Sequence, residues 1–269
     1  MPDATVKHIA LITGASSGIG AAFARSYAAR GCDLVLVARR RERLEALAAE
    51  LKERHQTRSL IIPADLARAE AVAEIAEELQ RRRLRPDILV NNAGYSIARP
   101  FLAIDWKAQA DFIQVSVTAP AALARALLPA MIEKGWGRII NVSSIAAFSP
   151  GAKGHTLYPA AKSFLLKMSQ SLAAEATWTG VHVTALCPGQ TESEFADANE
   201  TRSKVARAKM PTQSADEVAE AAIRANEKGR EIIVTGLRNR LAVAAMKMLP
   251  GGLVAAVIRP VAEKFSLKD

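Results

Sequence analysis

Thr13-Gly14-Ala15-Ser16-Ser17-Gly18-Ile19-Gly20 is the stretch that decides the fold. A short apolar run from Val6 leads into it, and Ala21 to Arg30 follow with a helical pattern of small and apolar residues. Strand, glycine-rich turn and helix in that order give the glycines a purpose. They permit a tight turn and let backbone N–H groups approach a pyrophosphate at a helix N-terminus. The alternation then repeats. Asp33 to Ala38, Leu60 to Ala64 and Asp87 to Val90 read as strands, with helices from Glu42 to Arg54 and Ala69 to Arg82 between them. Further strands are predicted at Gly137 to Val142, Val181 to Leu186 and Ile232 to Thr235. Such alternation predicts a doubly wound parallel sheet of about seven strands with right-handed crossovers, a single Rossmann-type α/β domain.

The chain has 269 residues, half of them apolar, and no internal repeat or low-complexity linker. One domain over residues 1–236 is expected, followed by a basic and apolar extension over 237–269. The net charge is +9, but the excess is local: Arg39 to Arg43, Arg81 to Arg85 and the tail carry much of it, without interleaved aromatics. Nucleic-acid binding is therefore not expected. Cys32 and Cys187 lie far apart and make no metal spacing. No signal-peptide pattern opens the chain, and the expectation is a cytoplasmic protein with buried thiols and no metal.

Two further patterns suggest chemistry. In dinucleotide folds an acidic residue after the second strand selects NAD; here Arg39 stands there, which points to the 2′-phosphate of NADP(H), with Ser16 as a nearby hydroxyl. Tyr158 and Lys162 are four residues apart, so a helix sets phenol and ammonium on one face. A cation beside a tyrosine favours the phenolate and lowers its pKa. Pro159 fits the first turn of that helix, with Thr156 as its expected cap.

Taken in order, Thr13 to Gly20, Asp65, Asn91-Asn92-Ala93-Gly94, Ser143-Ser144, Tyr158 with Lys162, and Pro188-Gly189 with Thr191 resemble the short-chain dehydrogenase/reductase family over about residues 6–236. The resemblance implies hydride transfer between a nicotinamide and a carbonyl or secondary alcohol carbon, with a small and apolar substrate. Tyr158 looks like the general acid/base, Lys162 like the residue that tunes it and holds the nicotinamide ribose, and Ser144 like the hydroxyl that steadies the substrate oxygen. Gly14, Ser16, Ser17, Gly18, Ile19 and Gly20 match the phosphate turn. Asp65, with Leu66 beside it, looks like the adenine contact. Asn91, Ala93 and Gly94 match the cofactor side, and Pro188, Gly189 and Thr191 the carboxamide side.

The sequence departs from the family at Ser116, where an asparagine that holds a water on the proton path is usual. Serine is shorter and lacks the amide's separate donor and acceptor. Two readings follow: an active carbonyl reductase in which Ser116 still serves, or an NADP(H)-binding sensor or scaffold with little turnover. Residues 190–210 resemble the family's substrate lid. Tyr95, Ala98, Phe101, Phe148, His155 and Phe195 flank the motifs as possible pocket walls. Relatives pair through two long helices, here Asp105 to Glu133 and Leu157 to Trp178, which implies a homodimer or homotetramer. The extension is expected to pack over the active site or on a neighbouring subunit, with contact to a membrane surface as the lesser alternative.

Overall fold

The structure, a computed structural model, describes residues 7–191 and 213–265. Nearly all of the lid segment 190–210, with Phe195, thus lies outside the described residues. Seven strands form one parallel sheet: β1 (Ile9–Thr13), β2 (Asp33–Ala38), β3 (Ser59–Pro63), β4 (Ile88–Asn91), β5 (Gly137–Val142), β6 (Val181–Cys187) and β7 (Ile232–Val234). Their order is β3-β2-β1-β4-β5-β6-β7. Because β1 pairs with β2 on one side and β4 on the other, the winding direction reverses there, and a crevice opens at the carboxyl ends of these strands.

The central strands read as continuous apolar runs because both faces are covered. On one face α1 (Gly18–Ala29), α2 (Arg41–His55) and α7 (Ala215–Glu227) pack on Ala10, Ile12, Leu34 and Leu36. On the other, α3 (Ala71–Arg81), α5 (Ala119–Lys134) and α6 (Leu157–Glu175) meet Leu11, Val35, Leu89 and Ile139. Neighbouring strand residues thus serve opposite cores, as a period of two demands. A Ser214/Glu217 capping box, legible in the spacing Ser214-Ala215-Asp216-Glu217, starts α7: Ser214 Oγ accepts from Glu217 N, and Glu217 Oε2 accepts from Ser214 N, both at 3.2 Å.

Two expectations are corrected. The unbroken helix predicted from Asp105 to Glu133 is divided into α4 (Trp106–Ile113), a π-helical turn (Gln114–Thr118) and α5. Pro120 supplies the reason. It has no N–H for the carbonyl of Ser116, and its ring would crowd that carbonyl in an α-helix. Thr156 precedes α6 but has helical backbone angles and makes no side-chain cap, since an N-cap hydroxyl needs extended backbone to reach back.

The extension forms α8 (Leu237–Met248) and α9 (Gly251–Phe265). Val243, Val254 and Ala255 are its buried anchors. Lys247 Nζ lies 4.9 Å over the Phe148 ring, and Arg259 Nε donates to the Gly151 carbonyl at 3.2 Å. The extension therefore packs against the loop that joins Ser144 to Tyr158.

Candidate active site

Thr13 ends β1 and bolts the glycine-rich turn to β4. Its Oγ1 donates to the Val90 carbonyl at 3.3 Å and accepts from Asn92 N and Ala93 N at 3.0 Å each. Asn92 Nδ2 donates back to the carbonyls of Thr13, at 2.9 Å, and Gly14, at 3.2 Å. Gly14 has φ +65°, and a Cβ at Gly20 would overlap the Gly14 carbonyl, so this tight turn excludes side chains at both positions. Ser17 precedes α1 with extended backbone and no side-chain cap, and the first turn of α1 holds no acidic residue. The leading N–H groups of α1 therefore suit an anion.

Arg40, not Arg39, closes this cradle. Both arginines are exposed, but Arg40 Nη2 donates to Ser16 Oγ and Ser17 Oγ, at 3.2 Å each, whereas the charge of Arg39 acts on Tyr95. Adjacent residues leaving a strand point in opposite directions, so one register step decides which guanidinium reaches the turn. Asp65 is exposed just beyond β3 with its Oδ1 accepting from Ala67 N at 3.1 Å, and Leu66 is buried beneath it. The sequence sets Asn91 on the cofactor side; the structure turns its carboxamide into the core. Its Nδ2 donates to the Pro120 carbonyl at 3.1 Å and to Asn141 Oδ1 at 2.9 Å, bracing β4 against β5 and the start of α5.

At the end of β5 the two serines divide their work. Ser143 Oγ donates to the Lys162 carbonyl at 2.7 Å and anchors α6. Ser144 Oγ accepts from Ala146 N at 3.1 Å at the mouth of a short 3₁₀ turn (Ile145–Phe148), and it is hydrogen-bonded to Tyr158. Ile145 N donates to the Pro188 carbonyl at 3.0 Å, tying this turn to the loop after β6. Lys162 Nζ lies 5.7 Å from the Tyr158 ring centre, beside Gly94, and donates to the Val142 carbonyl at 2.9 Å.

The electrostatics reverse one expectation. Burial pushes the Tyr158 phenol above its ordinary pKa, and the Ser144 hydrogen bond offsets only part of that rise. The ammonium expected to lower it is itself in difficulty. Lys162 is 4 % exposed, and burial depresses its pKa to about 8, with the neighbouring Cys187 acting weakly the other way. In the bare chain Tyr158 is thus a protonated acid beside a reluctant cation. Cys187 is buried and free, its thiol pushed up to about 11, so it stays protonated and unreactive.

Thr191 Oγ1 donates to the Gly189 carbonyl at 3.3 Å, and Thr191 pairs with Gln213 in an isolated parallel bridge. A Cβ on Gly189 would collide with Asn239, whose Nδ2 donates to the Thr235 carbonyl at 2.8 Å. Asn239 thus seats the extension directly on the Pro188–Thr191 loop. Sequence reasoning misses it, since nothing in a tail residue signals contact with a loop some fifty positions earlier. Ser116 is 1 % exposed in the π turn, and its hydroxyl has no hydrogen-bond partner. Tyr95 packs edge-on against Phe112 at 5.4 Å, and Phe148 lies under Lys247; both are held by packing.

The family profile described as short chain dehydrogenase matches residues 8–204. The chain belongs to the short chain dehydrogenase family. Within it, the chain is 38 % identical over 192 residues to a short chain dehydrogenase of Pseudocercospora fijiensis, covering 69 % of this chain and 60 % of that protein. It is 36 % identical over 192 residues to sulfoacetaldehyde reductase 2 of Chromohalobacter salexigens, covering 71 % of this chain and 75 % of that one. Among solved structures, a short-chain dehydrogenase from Sphingobium yanoikuyae in complex with NADPH superposes with a TM-score of 0.79 at 32 % identity, over 93 % of this chain and 95 % of that one. Family membership makes this dehydrogenase an oxidoreductase.

Proposed function

We propose that the protein is an NADP(H)-dependent carbonyl reductase. The observation that carries this reading is the hydrogen-bonded Ser144–Tyr158 pair with buried Lys162 one turn along α6, on the same sheet edge as the glycine-rich turn. The cradle fits a dinucleotide: Gly14 to Gly20 would hold the pyrophosphate and Arg40 with Ser16 the 2′-phosphate. Asp65 and Leu66 would take the adenine side, Lys162 the nicotinamide ribose, and Pro188, Gly189 and Thr191 the carboxamide. When bound, the reduced nicotinamide supplies the hydride. Tyr158 gives its phenolic proton to the carbonyl oxygen as charge develops there, and Ser144 Oγ holds that oxygen in line. The charged Lys162 then stabilises the tyrosinate left behind. A phenol is protonated at neutral pH, and burial raises its pKa further, so Tyr158 stands ready as the acid that reduction requires. The relative named for sulfoacetaldehyde reduction and the neighbour that holds NADPH support the same direction.

The test is NADPH oxidation by the purified protein against a panel of ketones and aldehydes, with NADH in parallel. Tyr158→Phe is expected to lower turnover by about 10² to 10⁴-fold. Equal rates in the variant would sink the assignment. A second reading, an NADP(H)-binding sensor with little turnover, is favoured by the buried Ser116 hydroxyl left without a partner. Tight NADPH binding with no oxidation across the panel would select it.

A further inference from the structure

Leu237, Leu241, Met248, Leu249, Leu253 and Val257 are half of the twelve large apolar side chains exposed among the described residues, yet α8 and α9 are little more than a tenth of those residues. Scattered exposed apolar residues need no explanation; a concentrated set does. Along α8, Leu237, Leu241, Ala244 and Met248 recur at i, i+4, i+7 and i+11, a single stripe opposite the buried Val243. Met248 is 85 % exposed and Leu241 63 %. Arg238 and Arg240, both exposed, flank the stripe on either side. From Ile232 through Ala262 the sequence has four cations, Arg238, Arg240, Lys247 and Arg259, and no carboxylate.

We infer that the outer face of α8 and α9 docks the protein onto an anionic lipid surface. A second copy is the poorer occupant. A two-fold contact sets a patch against itself, and here Arg238 and Arg240 would meet like charges with no acid to offset them. Nucleic acid would meet the cations but leave the apolar stripe unburied. A lipid surface takes both: the stripe enters the acyl boundary while the two arginines extend to headgroup phosphates. The helices lie on such a surface and do not cross it, since the apolar run of α9, Gly251–Pro260, falls well short of the about 20 residues a span needs.

The same helices hold the substrate loop through Lys247 on Phe148 and Arg259 on Gly151. Docking therefore brings the loop that flanks Tyr158 close to the lipid. Resting on the reductase reading, this assigns the substrate class as aldehydes or ketones that partition into lipid.

The experiment sediments the full-length protein with vesicles of phosphatidylglycerol in phosphatidylcholine, with phosphatidylcholine alone and duplex DNA as comparisons. The mixed vesicles are expected to carry the protein down and to release it with added salt. Leu241→Glu with Met248→Glu, and separately Arg238→Glu with Arg240→Glu, are each expected to weaken binding by about tenfold or more, with turnover of a water-soluble aldehyde unchanged. Binding that survives both pairs, no binding by the native chain, or binding to DNA alone overturns the inference. So does a drop in oligomer size by light scattering in either pair, which would make the face a subunit contact. Vesicle binding without NADPH oxidation would leave docking standing and remove the reductase reading; turnover without vesicle binding would do the reverse.

Discussion

Lys162 carries its charge at a cost that the bare chain does not recover. Its ammonium donates to a neutral carbonyl, that of Val142, and among the described residues no carboxylate raises its pKa. With the folded value near 8 and the unfolded one near 10.5, the unfolded chain binds more protons between those values. Stability must therefore rise with pH across that window, and the penalty is complete below it. A shift of this size corresponds to roughly 3 kcal/mol at about 1.4 kcal/mol per unit. Measured by denaturant unfolding without cofactor, the native chain should gain on Lys162→Met between pH 7 and 10; a difference flat with pH would show that the ammonium is well solvated. At the other end of the site, Arg40→Gln should weaken NADPH relative to NADH by about tenfold or more, the worth of a charge-assisted contact, and Arg39→Gln by less. Kinetics with both cofactors decide between them. The sequence carried the site this far and no further. An arginine after β2 was legible as a candidate for the 2′-phosphate, but which of two adjacent arginines reaches the serines of the turn depends on where the strand lets go. Tyr158 and Lys162 were legible as a pair, whereas the sign of the phenol's shift depended on burial, which no spacing reveals.

A π turn separates α4 from α5. Its place was written in the sequence as Pro120, a residue that cannot close the α-helical bond to Ser116, yet the apolar pattern on either side reads through the break. Periodicity sees faces and overlooks single missing hydrogen bonds; that is why a continuous helix was expected from Asp105 to Glu133. The interruption leaves Ser116 inside the fold with an unsatisfied hydroxyl, and π turns of this kind gather at functional sites. Ser116→Asn supplies an amide with both donor and acceptor, so turnover should rise or hold steady in single-turnover assays. A large loss would mean that the serine has a use of its own. Strand positions and the Ser214 capping box were legible because alternation and capping are local. Pro63 was read within the third strand too, and at the edge of the sheet its missing donor is tolerated.

At the scale of the whole molecule, the extension belongs to the site through Asn239. Wedged on Gly189 and tied to Thr235, its carboxamide fixes the loop that leads to Thr191. Asn239→Ala should raise KM for NADPH by about tenfold while thermal stability changes little, because the half-buried amide contributes only about 1 kcal/mol net. Unaltered cofactor kinetics would show that the tail merely rests there. The parallel sheet itself was legible from alternation alone, while the seating of the tail required contacts between distant parts of the chain. That distance also orders assembly during synthesis. The phosphate turn is complete only when Thr13 finds Val90 and Asn92, close to eighty residues later. The serine pair waits longer, until Ser143 N can donate to the Leu186 carbonyl at 2.7 Å. On the ribosome the glycine-rich turn therefore matures before Ser143 and Ser144 are set, and α8 and α9 emerge only after the loop that they fasten.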